Sequence, residues 1–179
     1  MTVDAEMTDR AERCWVYSTL AVTLARVDFL DPALADRPDT RERGVRVELR
    51  PVRLGTGSSI YASPQIGLEP AVCRIDLLES APRAADRMHW HPVMIAGEPD
   101  DREYVPEMGA DPVAWLSDRL REVEVLLDKA GIDDVARHRS AVSAIAEDVD
   151  DIAAAARAGL EWAREDWSEV PRDERGMGH

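Results

Sequence analysis

The residues best equipped for chemistry lie in the stretch Met88-His89-Trp90-His91-Pro92. On a β-strand, residues i and i+2 share a face. His89 and His91 are therefore expected to project together, with Trp90 buried on the other side. Two neutral imidazoles on one face can serve a metal ion as nitrogen ligands. A useful site needs at least one more donor. Glu98, Asp101 and Glu103 lie in the loop that follows and could fold back over the strand. His138 is a further candidate, because it falls at a core-facing position among aliphatic residues. The metal ligands expected are thus His89, His91 and His138, with Glu98 and Glu103 as catalytic carboxylates. Arg50 is expected to orient an anionic substrate, since arginine makes forked contacts with carboxylate and phosphate. The plainer readings are that His138 caps a helix or makes one core hydrogen bond, and that His89 and His91 are two exposed strand histidines or a pair flanking an aromatic core residue.

Other motifs carry less. The HxH pattern is of the kind cupins use, but the glutamate spacing differs. The sequence after it turns helical, where a cupin needs a second histidine-bearing strand, so that family is not assigned. There is no HExxH of a zincin, Gly55-Thr56-Gly57 lacks the third glycine and following helix of a dinucleotide fingerprint, and Ser58-Ser59 has no nucleophile-elbow context. The acidic loop over 98–107 lacks EF-hand spacing. Arg46, Arg50 and Arg53 read most simply as paired with Glu48 and its neighbours.

The elements that must position the histidines follow from patterning. Cys14 to Leu30 is rich in strand-forming Val, Thr, Tyr, Trp and Phe, although Val16, Leu20, Leu24 and Val27 also fit one helical face. Leu30 to Gly44, with Pro32, Pro38 and many charges, predicts a connecting loop. Val45 to Arg50 alternates as a half-buried strand, Gly55 to Ser59 reads as a turn, and Ile60 to Ala62 as a short strand. Ala71 to Glu79 alternates with Cys73, Ile75 and Leu77 on one face. Arg87 to Met94 predicts the last strand, bent or ended by Pro92. Ala96 to Met108 reads as an acidic loop.

The period then changes. Asp111 and Pro112 suit the start of a helix, Val113, Leu116, Leu120, Val123 and Leu127 form its apolar stripe, and Gly131 is placed to end it. From Val135 through His138, Val142, Ile145, Val149, Ile152, Ala156 and Gly159 to Ala163, apolar positions recur at heptad spacing. The expected fold is α+β: an antiparallel β meander or partial barrel over 12–95, then an antiparallel helical hairpin over 111–168. Together they make one domain over 1–170, followed by a flexible tail over 171–179.

The 179-residue chain carries a formal charge of -14 with a pI near 4.7. That charge repels phosphate backbones and anionic membranes, so neither nucleic acid nor a membrane surface is expected as a partner. Lys129 is the only lysine beside 21 arginines, which excludes most lysine chemistry. Met1 to Arg13 has no signal-peptide pattern and no run is apolar enough to span a bilayer, so a cytoplasmic location is expected. Cys14 and Cys73 read as small buried hydrophobes there.

Two functions are compatible with these features. One is a small metal-dependent enzyme of hydrolase, lyase or oxygenase type, using zinc, iron or manganese on a small anionic molecule. The other is a binding or homodimerisation module built on the helical hairpin and its tryptophans.

Overall fold

The computed structural model describes residues 13–32, 37, 40–55, 59–169 and 171–178. Among them the chain is α+β, an antiparallel sheet followed by helices. Strand β1 (Arg13–Tyr17) pairs with β2 (Leu20–Leu30), which pairs along its whole length with β3 (Arg41–Gly55). Strands β5 (Cys73–Glu79) and β6 (His89–His91) complete the order β1-β2-β3-β5-β6, while β4 (Gln65–Leu68) pairs with the far end of β3. A separate ribbon joins β7 (Met94–Ile95) to β8 (Glu98–Pro99).

The helical part comprises α1 (Pro106–Ala110), α2 (Pro112–Arg121), α3 (Val123–Lys129), a 3₁₀ turn (Val135–His138), α4 (Arg139–Glu147) and α5 (Val149–Arg164). The punctuation acts as its residue types dictate. The Asp111 side chain accepts from the Ala114 backbone N–H at 3.0 Å with Pro112 at the first helical position. Gly131 takes φ +72° as the chain leaves α3, and the next N–H, of Ile132, returns to the Leu127 carbonyl at 3.0 Å. Where a simple helical hairpin is expected, both arms are segmented, at Glu122 and at Asp148. The heptad stripe nevertheless faces inward through the break, with Ile145, Val149, Ile152, Ala156, Gly159 and Ala163 all buried.

The core lies between one sheet face and these helices. Val22, Leu24, Val45, Val47, Ile75, Leu77 and Trp90 meet Leu116, Leu120, Ile152 and Ala156 there. Helix α5 crosses β3 at close range because position 159 has no side chain: a Cβ there would lie 2.5 Å from Val45 Cγ2.

Several sequence expectations shift, each for a physical reason. Strand β3 starts at Arg41 rather than near Val45, because the charges that suggest a loop are paired. Arg41 holds Asp28 at 2.7 Å, and Arg43 stacks on the Trp162 ring at 4.2 Å. Residues 33–36 and 38–39 of the expected loop, and 56–58 of the expected turn, lie outside the described residues. Ile60 to Ala62 forms a turn, closed by the Ala62 N–H on the Ser59 carbonyl, instead of a strand. Ile60 and Tyr61 are about nine-tenths exposed, so no burial favours extension. Cys73 is buried but Cys14 is exposed, because β1 is an edge strand. Residues 171–178, expected to fray, run back along the end of β2 through a Phe29–Met177 bridge and an Arg172–Asp28 ion pair of 3.1 Å.

Candidate metal centre

The sheet register decides what surrounds the histidines. Asp76 pairs with His89 and Arg74 with His91, while Ile75 pairs with Trp90. On the other side of β5, Arg46 pairs with Asp76 and Glu48 with Arg74. Paired residues of an antiparallel ladder point to the same face. Trp90 therefore joins the helical core, and its two neighbours join the opposite face. Beyond β6 the chain makes one more bridge, Trp90 to Glu103, with both backbone hydrogen bonds formed at 2.9 and 3.0 Å. Continuing that register sets Tyr104 beside His89 and Arg102 beside His91. Two rows thus cross the face: Arg46, Asp76, His89, Tyr104; and Glu48, Arg74, His91, Arg102. The Tyr104 ring lies 5.8 Å from that of His89, centroid to centroid.

Asp76, His89 and His91 are all buried, and one ligand atom from each lies within 4.8 Å of the others. Each ring is oriented by main chain. His89 Nδ1 is 2.8 Å from the Arg87 carbonyl oxygen and His91 Nδ1 is 3.0 Å from that of Asp100. A carbonyl oxygen can only accept, so each Nδ1 carries the hydrogen and donates. Neutral imidazole then presents its Nε2 lone pair. His89 Nε2 faces Asp76 Oδ2 at 3.4 Å, beyond the usual range of about 2.7–3.2 Å for N–H···O. Two ligands about 2.0–2.1 Å from a tetrahedral ion are about 3.4 Å apart.

Electrostatics keep Asp76 and His91 in ligand-competent states. Burial alone would raise the Asp76 carboxyl, but Arg46, with Nε 2.7 Å from Oδ1, and His89 together hold it well below the usual carboxylate range. Burial pushes the His91 imidazole below its ordinary value, against the opposing pull of the Asp100 carbonyl and Asp76. Arg46 Nε holds Oδ1, and its Nη2 lies 3.3 Å from Oδ2, the oxygen that also faces His89.

No known protein family, curated protein or solved structure matches the chain.

The residues expected from sequence scatter around this cluster. His89 and His91 come together. His138 sits elsewhere, buried beneath the β1–β2 turn with Nδ1 2.9 Å from Thr19 Oγ1, where burial and then Arg137 lower its pKa. Glu98 is exposed on the β7–β8 ribbon. Glu103, paired with Trp90, turns to the helical face and lies 3.8 Å from Lys129. Asp101 is exposed and outside the three-residue group. Arg50 lies on the histidine face but is committed to the Glu48 carboxylate and, at 3.2 Å, to the Glu69 carbonyl.

Two carboxylates that sequence reading passed over matter more. Asp76 occupies an outward position of an alternating strand, where a carboxylate reads as ordinary solvated polarity. Glu42 shares the histidine-bearing face with Arg46 by strand parity. It is fully buried, its Oε1 has no hydrogen-bond partner, and Arg87 Nε lies 3.8 Å away. Burial, and then Asp31, raise its carboxyl, against Arg102, His89 and Arg87. A buried carboxyl whose pKa is raised is the kind of group that can hold or pass a proton. Among the described residues no helix is long and apolar enough to cross a membrane.

Proposed function

We propose that the protein is a divalent-metal-dependent enzyme acting on a small anionic molecule, with Asp76, His89 and His91 as its metal ligands. The observation that carries this reading is the His89 Nε2 to Asp76 Oδ2 approach of 3.4 Å. With Nδ1 donating to a carbonyl, Nε2 is the atom turned to the carboxylate oxygen. That approach is satisfied by a proton on Nε2 or by a cation held between the two atoms, and the second arrangement is the one proposed. Zinc suits the tetrahedral spacing, while iron and manganese accept the same two-histidine, one-carboxylate set. His91 has a ligand atom within 4.8 Å of the other two, so it completes the triangle by closing inward, by up to about 1.4 Å against the separation expected for ligands of one tetrahedral ion.

Three protein ligands leave at least one position open. An ion held this way can activate water or polarise a carbonyl. The Arg46 guanidinium fixes the carboxylate from behind, as outer partners of metal ligands do, and neutralises its charge. Added positive charge favours an anionic substrate. The dimerisation reading rests on the heptad stripe from Val135 to Ala163, whose later positions face the chain's own core. Trp162 and Trp167 stack on Arg43 and Arg41 of the same chain.

The test is metal content of tag-free protein by mass spectrometry beside the H89A/H91A double variant. About one equivalent of a divalent ion in the parent, lost in the variant, is the expected result for a three-ligand site. Equal metal in both proteins, or none in either after incubation with zinc, iron and manganese, would overturn the assignment.

A further inference from the structure

The two rows of side chains say more about what approaches the centre. Arg46 is engaged with Asp76, and Arg74 and Arg50 both hold Glu48. These cations answer carboxylates within the sheet. Arg102 differs: its Nη1 donates to the neutral Tyr104 hydroxyl at 3.1 Å, and Glu42 and Asp31 act on it electrostatically. Arg102 and Tyr104 are both exposed, so solvent reaches them. Their alternation places them over the same face as His91 and His89, at the outer end of each row. The two rows sum to one net positive charge from Arg46, Arg74 and Arg102 against Asp76 and Glu48, on a chain whose total is -14. A divalent ion would add two more.

We propose that Arg102 and Tyr104 form the anion subsite of this centre, and that the substrate is a small carboxylate that reaches the metal with one oxygen and Arg102 with its carboxylate. The inference rests on the metal-centre reading. The guanidinium fork matches the two oxygens of a carboxylate, and the phenol adds a donor at the rim. Tyr104 packs against a ligand ring, so an anion seated on the pair lies beside the ion.

The test uses full-length protein loaded with Co(II), titrated calorimetrically with oxalate and separately with inorganic phosphate. Oxalate should bind, and Arg102→Gln should weaken it by about ten- to hundredfold, the usual loss for a charge-assisted hydrogen bond, with cobalt content unchanged. Arg121→Gln, which removes an exposed charge on α2, should leave oxalate affinity unaltered, because distant exposed charges are screened. Unchanged oxalate affinity in R102Q that retains its cobalt would overturn the subsite and leave the metal centre standing. Tighter binding of phosphate than of oxalate would overturn the carboxylate assignment. Failure of the parent protein to take up cobalt would remove the metal centre and this subsite with it.

Discussion

Replacing Asp76 with alanine is expected to destabilise the metal-free protein by about 3 kcal/mol or more, the range for breaking a buried ion pair by removing one partner. Asp76 is sealed on the sheet, and two contacts from Arg46, at 2.7 and 3.3 Å, terminate on its oxygens. Without the carboxylate, the Arg46 head stays among Glu48, Asp76's vacated space and the β5 backbone with much of its hydration gone. Arg46 keeps a quarter of its side chain exposed, which holds the cost to the lower end of that range. The companion double variant R46M/D76L should recover most of the loss, because replacing both members of a buried pair by apolar groups is close to neutral. The measurement is urea unfolding with a chelator present, so that metal binding does not enter. A D76A penalty below about 1 kcal/mol would mean that the pair is solvated and that the sheet face is more open than its burial indicates.

Saturating metal is expected to raise the melting temperature by about 10 °C. An ion at a thousandfold excess over its dissociation constant contributes about 4 kcal/mol to the native state, and each kcal/mol moves the midpoint by about 2–4 °C in a domain of this size. The ligands lie on two adjacent strands, β5 and β6, so the ion would clamp an edge strand only three residues long to the body of the sheet. The shift should vanish in H89A/H91A and persist in the His138→Ala variant, because His138 bonds Thr19 at the β1–β2 turn, away from the cluster. Differential scanning calorimetry with and without zinc reads both. An equal shift in the double variant would place the ion elsewhere.

How much of this was legible in the sequence depends on whether a contact is local. Alternation along one strand places His89 and His91 together and Trp90 opposite, and that arrangement is present. The Asp111-Pro112 start and the Gly131 stop are equally local and equally readable. Asp76 was not legible, because its role exists only through the β5–β6 register, and no feature within residues 73–79 fixes which outward residue meets which histidine. The signal available was its parity: Asp76 is one of two outward positions between Cys73 and Leu77. Glu103 shows the converse. Its segment does return to the histidine strand, but the Trp90–Glu103 bridge turns its side chain to the helical face. One residue of register separates a ligand from a bystander. The early start of β3 was hidden because Arg41 and Arg43 look like loop residues until Asp28 and the tryptophans at the chain's other end are seen beside them.

The most direct test of the central claim is to locate the ion. Crystals of the protein grown with zinc, with diffraction recorded on both sides of the zinc absorption edge, should show one anomalous peak about 2.0–2.2 Å from Asp76 Oδ2, His89 Nε2 and His91 Nε2. No peak at these three residues in zinc-grown crystals, or a peak held by other side chains, would contradict the account.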